Sequence, residues 1–260
     1  MKWDNIAATG TTGSIGSFLP NTVSALKTRL EDPLELRIQE LQALPTTPDG
    51  LIHLAAMTSL PECAKDPELA RERNVMGALK WYQAAKEIGI PRFLFVSTSH
   101  VYAPSRIGEK VTTQHPLKPK SFYGELKLEA EELLQKESLK SSCELLIARV
   151  FSVLSPIMRP GFLLTGLHNR AIAKDYSPIP GLNNVRDFLA ADEVADKLMA
   201  YIKMSTPPPI ANICSGKETT VRQIAEEVFK EHHLDPNKLV MDRSVSGGDP
   251  YIVGEPTKIF

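Results

Sequence analysis

The chain has 260 residues, 42% apolar and 23% charged, enough for a large core in one big domain or a principal domain with a smaller lobe. Thirty Lys and Arg against 31 Asp and Glu leave a net charge of −1, which argues against a general nucleic-acid-binding surface. Cys63, Cys143 and Cys214 have no metal-ligand spacing, so they read as reduced thiols and no metal is expected. No apolar run approaches the roughly 18 residues of a membrane span, and "MKWDNIAATG" is too short in apolar residues for a signal peptide. The expectation is a soluble cytoplasmic protein.

Short apolar runs alternate with helix-length amphipathic segments over the first 150 residues. The runs are "NIAAT" (5–9), "TVSAL" (22–26), "GLIHLAA" (50–56), "RFLFVST" (92–98) and "ELLIARV" (144–150). Several are continuously apolar, as parallel strands covered on both faces must be. Helices are predicted over 67–88 and 122–137. The pattern indicates an α/β fold, a Rossmann-like doubly wound parallel sheet. After Pro156 the texture changes, with "SPIPGLNN" (177–184) and "STPPPI" (205–210) between shorter elements and helices predicted near 191–203 and 219–233. The predicted organisation is a dinucleotide-binding domain over 1–155 and a smaller C-terminal lobe over 156–260. "IANICSG" (210–216) is expected to carry the lobe back onto the sheet.

"ATGTTGSIG" places Gly10, Gly13 and Gly16 directly after the first run, with Thr12, Ser14 and Ile15 between them. Glycines there permit a tight turn and bring backbone N–H groups close to a pyrophosphate. Pro20 leaves room for only a short first helix. At the end of the second strand an acid binds ribose hydroxyls, whereas basic residues accommodate a 2′-phosphate. Lys27 and Arg29 occupy that stretch, so either NADP or NAD fits and NADP is favoured.

"SFYGELKLEA" (121–130) opens a helix capped by Ser121, with Leu126, Ala130, Leu133 and Leu134 at helical spacing. Tyr123 and Lys127 lie on or beside that apolar stripe, although a lysine is rarely buried without a partner. With the glycine loop in view, this Tyr-x-x-x-Lys resembles the extended short-chain dehydrogenase/reductase family, of the nucleotide-sugar epimerase/dehydratase type. Further stretches match in order: "LIHLAAMTS" (51–59), "ERNVMGALK" (72–80), "VSTSHVYAP" (96–104), "VRDFLAADEVA" (185–195) and "NICSGKETTVRQIAEEV" (212–228).

The resemblance implies a catalytic set of Thr98, Tyr123 and Lys127. Tyr123 would exchange a proton with a sugar hydroxyl or carbonyl, Lys127 would favour its phenolate and reach the nicotinamide ribose, and Thr98 would bond the reacting oxygen. The implied cofactor ligands are Gly10, Thr12, Gly13, Ser14, Ile15, Gly16, Leu54, Ala55, Ala56, Asn74, Tyr123 and Lys127, with Lys27 and Arg29 at the strand end. The implied substrate ligands are Thr98, Ser99, His100, Ser152 and Arg186.

Several positions depart from the family pattern. Ser99-His100 stands where dehydratases carry Asp-Glu, which disfavours dehydration. His100 occupies the place of proton-transfer residues in relatives, and an imidazole suits that role near neutral pH. Ser152 replaces the asparagine of the family's Arg-x-x-Asn. "SGGD" (246–249) replaces Arg-Pro-Gly-Asp, so Ser246 cannot clamp a sugar diphosphate while Arg186 remains. The brief link between the second strand and "LIHLAA" resembles that of dTDP-4-dehydrorhamnose reductases and GDP-fucose synthases. The implied activity is 4-keto-sugar reduction or C4 epimerisation of a nucleotide-diphosphate sugar, in an assembly that admits a homodimer. The alternative from another class is a non-catalytic dinucleotide-binding regulator, which would be expected to lose the Tyr/Lys pair.

Overall fold

The structure, a computed structural model, describes residues 3–157, 161–244 and 248–259. Strand β1 (Ile6–Thr9) is buried along its whole length, and a three-residue 3-10 turn (Gly16–Phe18) follows it. The short first helix expected from the sequence shrinks to this turn because Leu19, which precedes Pro20, is already extended at φ −63° and ψ 146°. Then come β2 (Ser24–Leu26), α1 (Leu34–Gln42) and β3 (Gly50–His53). Helices α2 (Leu60–Lys65) and α3 (Pro67–Arg71) are capped by the side chains of Ser59 and Asp66. A π-helical turn over 72–76 joins α3 to α4 (Gly77–Ile88), so the helix predicted over 67–88 is one rod with a wide turn inside it. Gly89 ends that rod in the left-handed conformation, φ 79°. Strand β4 (Arg92–Thr98), helix α5 (Phe122–Ser138) and strand β5 (Glu144–Val150) complete this half.

The second half begins with β6 (Ser152–Leu154) and α6 (Leu163–Ile172). It continues through β7 (Ile179–Pro180), β8 (Val185–Arg186), β9 (Phe188–Ala190), α7 (Ala191–Lys203) and β10 (Ile210–Ile213). The last elements are β11 (Thr219–Thr220), α8 (Val221–Glu231), β12 (Met241–Asp242) and β13 (Tyr251–Ile252).

Six strands form one parallel sheet in the order β10-β5-β4-β3-β1-β2. Strand periodicity sends alternate residues to opposite faces. Ile6, Ala8, Ile52, Leu94 and Val96 pack with Val194, Leu198 and Ile202 of α7. Ala7, Leu51, Phe93 and Phe95 pack with Leu41 of α1, Trp81 and Tyr82 of α4, and Leu134 of α5. Both faces are covered, which is why the strands read as unbroken apolar runs. Because β10 pairs with β5 and α7 covers one face, residues from both halves of the sequence build this sheet. A smaller core forms separately from α6, α8 and the short strands, around Leu167, Leu182, Ile224 and Phe229. No helix among the described residues is long and apolar enough to cross a membrane.

The chain leaves β1 toward β2 on one side and returns to β3 on the other. Such a reversal opens a crevice at the carboxyl ends of the two strands. The glycine loop and residues 54–59 stand at that crevice.

Candidate active site

The glycine loop is folded on itself. Gly13 N donates to Gly10 O at 2.9 Å, and Ser17 N donates to Gly13 O at 3.1 Å. Gly10 has φ +69°, and a Cβ there would lie 2.7 Å from Ala55 N. A Cβ at Gly16 would collide with the carbonyl of Gly10 and with Thr11 Cα. The chain therefore presents bare backbone at the crevice, with Thr12 exposed and Ser14 and Ile15 half-buried beside it. This cradle fits a dinucleotide pyrophosphate, although a 3-10 turn replaces the helix N-terminus that would add a dipole. Beneath it, the Thr9 hydroxyl accepts from Ala55 N (3.1 Å) and stands 2.9 Å from His53 Nδ1. Burial holds the His53 imidazole neutral, with its pKa well below the ordinary value.

A cleft of about 490 Å³ opens beyond the loop, walled by Arg29, Leu30 and Glu31 on one side and by Ala56, Met57 and Arg73 on the other. Arg73 pairs with Glu31 at 2.6 Å, which lowers the Glu31 pKa. The Arg29 wall is held from below by Arg37, which is wholly buried. Its guanidinium donates to the carbonyls of Arg29 (3.1 Å), Leu30 (2.7 Å), Asp32 and Pro33 (3.1 Å) and lies over the Trp81 ring. Glu40 accepts from Lys27 N at 2.5 Å and from Thr28 N at 2.9 Å. The acid at this strand end thus caps backbone. On the opposite wall Asn74, in the π-helical turn, both donates to Met57 O (2.9 Å) and accepts from Met57 N (2.8 Å).

At the far end of the crevice, β4 delivers Thr98 and α5 delivers Tyr123 and Lys127. Ser121 caps α5 by accepting from Gly124 N at 3.2 Å. Thr98 is buried, and its Oγ1 accepts from His100 N at 3.3 Å. Ser99 is buried in the following 3-10 turn, whereas His100 is exposed, with its ring 6.1 Å from that of Tyr123 at an interplanar angle of 72°. Enclosure by the cleft walls and then the Arg186 charge lower the His100 pKa. Tyr123 is half-buried, and desolvation, with Cys63 nearby, pushes its phenol well above the usual tyrosine range. Lys127 is 2% exposed, its Nζ 4.1 Å from the centre of the Phe95 ring. Burial lowers its pKa to about 7, against the raising effect of Glu131.

The profile of the NAD dependent epimerase/dehydratase family matches residues 6–214. The chain belongs to that family. It is an NAD(P)-dependent enzyme with a Rossmann-like sheet. It is similar to GDP-6-deoxy-D-mannose reductase of Pseudomonas aeruginosa, 29% identical over 84% of this chain and 77% of that one. It is also similar to UDP-glucose 4-epimerase of Lacticaseibacillus casei, 31% identical over 40% of this chain and 31% of that one. Among solved structures, a UDP-glucose 4-epimerase from Thermotoga maritima with UDP-glucose superposes at a TM-score of 0.85. That match has 21% identity and covers 98% of this chain and 90% of that one. RMD from P. aeruginosa complexed with NADPH gives a TM-score of 0.83 at 22% identity, over 98% and 91%.

Within the family frame, the structure brings Gly10, Gly13, Gly16, Ala55 and Ala56 to one crevice and Thr98, His100 and Tyr123 to its far end. Leu54 follows β3 and packs against the core under the loop. Arg29 reaches the cleft, while Lys27 is exposed and stands outside its lining. Asn74 sits behind the wall, with its amide engaged by Met57. Ser152 N donates to Asp187 O in β6, and Arg186 Nη1 donates to Val185 O. Ser246 lies outside the described residues; Asp249 of the same stretch pairs with Lys120. Burial pushes the Tyr123 phenol up and the Lys127 ammonium down, so desolvation favours the neutral form of each.

The sequence reading passed over Arg37, Glu40 and the buried cluster around Glu131, which binds Ser97 and Arg149. Glu131 had a readable signal, since it falls eight residues after Tyr123 on the same helical face.

Proposed function

We propose that this enzyme reduces a nucleotide-diphosphate 4-keto-sugar with NADP(H) in the cytoplasm, the cofactor held by residues 1–155 and the sugar nucleotide by 156–260. The observation that carries this reading is the placement of Tyr123 one helical turn before Lys127 on α5, with the His100 ring 6.1 Å away. A phenol is protonated at neutral pH, and from there it can pass its proton to a carbonyl oxygen as that becomes a hydroxyl. The similarity to a GDP-6-deoxy-D-mannose reductase over most of the chain supports the same direction.

In this reading the bound nicotinamide supplies the hydride to the carbonyl carbon. Thr98 donates a hydrogen bond to the carbonyl oxygen and Tyr123 gives it the proton. Lys127 stabilises the phenolate that remains and holds the ribose of the cofactor. Gly10 to Gly16, with Thr12, Ser14 and Ile15, take the pyrophosphate, and Arg29 takes the 2′-phosphate. His100, Ser99, Ser152 and Arg186 line the sugar side, with Arg186 on the diphosphate. The test is incubation with NADPH and 4-keto-hexoses carried on GDP, dTDP and UDP, with products read by NMR in deuterated water. Reduction consumes one NADPH per hydroxyl formed. Interconversion of 4-hydroxy epimers without net NADPH consumption would instead make the chain an epimerase. Cofactor binding with no conversion of any of these sugars would leave the regulator reading.

A further inference from the structure

Helix α5 sends three polar groups inward at four-residue intervals, Tyr123, Lys127 and Glu131, and such positions lie on one face. The chemistry of the proposed reduction uses the first two. Glu131 is 1% exposed and is held from two strands. Ser97 of β4, the residue before Thr98, donates to Glu131 Oε1 at 2.5 Å. Arg149 of β5 binds both oxygens, through Nε at 3.1 and 3.2 Å and Nη2 at 2.6 Å. Arg149 in turn donates to Tyr102 Oη at 3.1 Å, and Tyr102 Oη donates to Asn212 Oδ1 of β10 at 2.6 Å.

Burying an ion pair is costly and adds little net stability, so a pair kept inside a sheet invites a reason beyond stability. Here the pair sits one helical turn beyond the buried Lys127 ammonium on the same face of α5. We propose that Glu131 is a positioning residue for catalysis, the fixed counter-charge that keeps Lys127 protonated one helical turn from Tyr123. This inference rests on the functional reading above.

The surroundings of Lys127 offer no substitute. From α5 it is faced by Tyr123, a neutral phenol, and Glu131. From β3 comes His53, which is neutral, and from β4 the Phe95 ring, with Ser97 and Thr98 at the strand end. Cys63 of α2 stands by Tyr123 as a neutral thiol, its pKa raised by burial. The cation Arg149 is paired with Glu131, and Arg37, like Lys127, acts on the His53 imidazole. Among these groups Glu131 alone supports charge on Lys127.

The sign follows directly. Removing the Glu131 charge makes Lys127 lose its proton at lower pH, so the alkaline limb of turnover moves down with it. The experiment is an NMR titration of the full chain labelled with 13C-lysine, the Lys127 resonance identified by its loss in Lys127→Arg. In Glu131→Gln the Lys127 midpoint is expected to fall by at least about half a pH unit, a threefold change in the protonation constant. The alkaline limb of kcat should fall equally, with KM for the sugar within twofold. Glu131→Gln leaves Arg149 uncompensated, so if it does not fold, Glu131→Gln with Arg149→Met decides. The same downward shift is expected there, since Glu131 is the charge that raises the Lys127 pKa. A Lys127 midpoint that stays at the wild-type value in a folded variant overturns the proposal. A wild type that binds NADPH and converts no sugar sinks the functional reading instead, and leaves the titration to judge the role of Glu131 on its own.

Discussion

Lys127 shows at the scale of one residue what the site costs the fold. Its folded pKa of about 7 lies below the ordinary lysine value near 10, so between these limits the unfolded chain binds the proton more strongly. The burial of Lys127 therefore lowers stability most below about pH 7, and the penalty fades as pH rises toward 10. Lys127→Met should abolish turnover yet raise Tm by about 3 °C or more at pH 6, with a smaller gain at pH 9. Calorimetry at the two pH values checks this; a Tm below wild type at both would contradict it. Tyr123 and Lys127 stood out in the sequence because a lysine on an apolar face is conspicuous, and the family resemblance put Thr98 beside them. Their protonation was not legible, because it depends on desolvation by Phe95, Cys63 and the sheet, which spacing does not report.

At the scale of elements, the cleft beyond the glycine loop is shaped by two supports that do not line it. Arg37 fastens the carbonyls of the turn after β2, and Asn74 fastens Met57 after β3. Arg37 was hidden in the sequence because it acts on backbone that any residue type could supply, whereas Asn74 was named there only as an implied cofactor ligand. Helix α1 went unread as well, since "LELRIQELQ" is short and alternates charged with apolar residues. By contrast, α7 over 191–203 and α5 over 122–138 have long apolar stripes and were read to within a residue. Of the two basic residues after β2, Arg29 stands at the cleft, so fluorescence titration should find NADPH bound more tightly than NADH. Arg29→Ala should narrow that ratio by about tenfold, the worth of one charge-assisted hydrogen bond, while Lys27→Ala changes it little. Tighter NADH binding by the wild type would refute the assignment.

At the scale of the molecule, one buried carboxylate draws together separate segments of the second half of the chain. Asp187, wholly buried between β8 and β9, accepts from Ser215 N and Oγ (both 2.7 Å), Gly216 N (2.8 Å) and Gly254 N (3.2 Å). It ties the loop after β10 and the C-terminal segment to the strand carrying Arg186. Asp187→Ala leaves four donors unpaired and should cost about 3 kcal/mol or more, which calorimetry would show as a Tm fall of about 6–12 °C. A change under about 2 °C would mean that water replaces the carboxylate. The doubly wound sheet was legible from its apolar runs, and the return of β10 from a single apolar tetrapeptide between prolines and glycine. The small strands β7, β8, β11, β12 and β13, two residues each, carry too few side chains for any periodicity to show. The central claim is that Tyr123 delivers a proton to a sugar carbonyl, and single-turnover NADPH oxidation by wild type and Tyr123→Phe tests it most directly. The account predicts a rate lowered by about 10²–10⁴-fold in the variant, with NADPH affinity within twofold of wild type. A variant that oxidises NADPH at nearly the wild-type rate on the same 4-keto-sugar would contradict it.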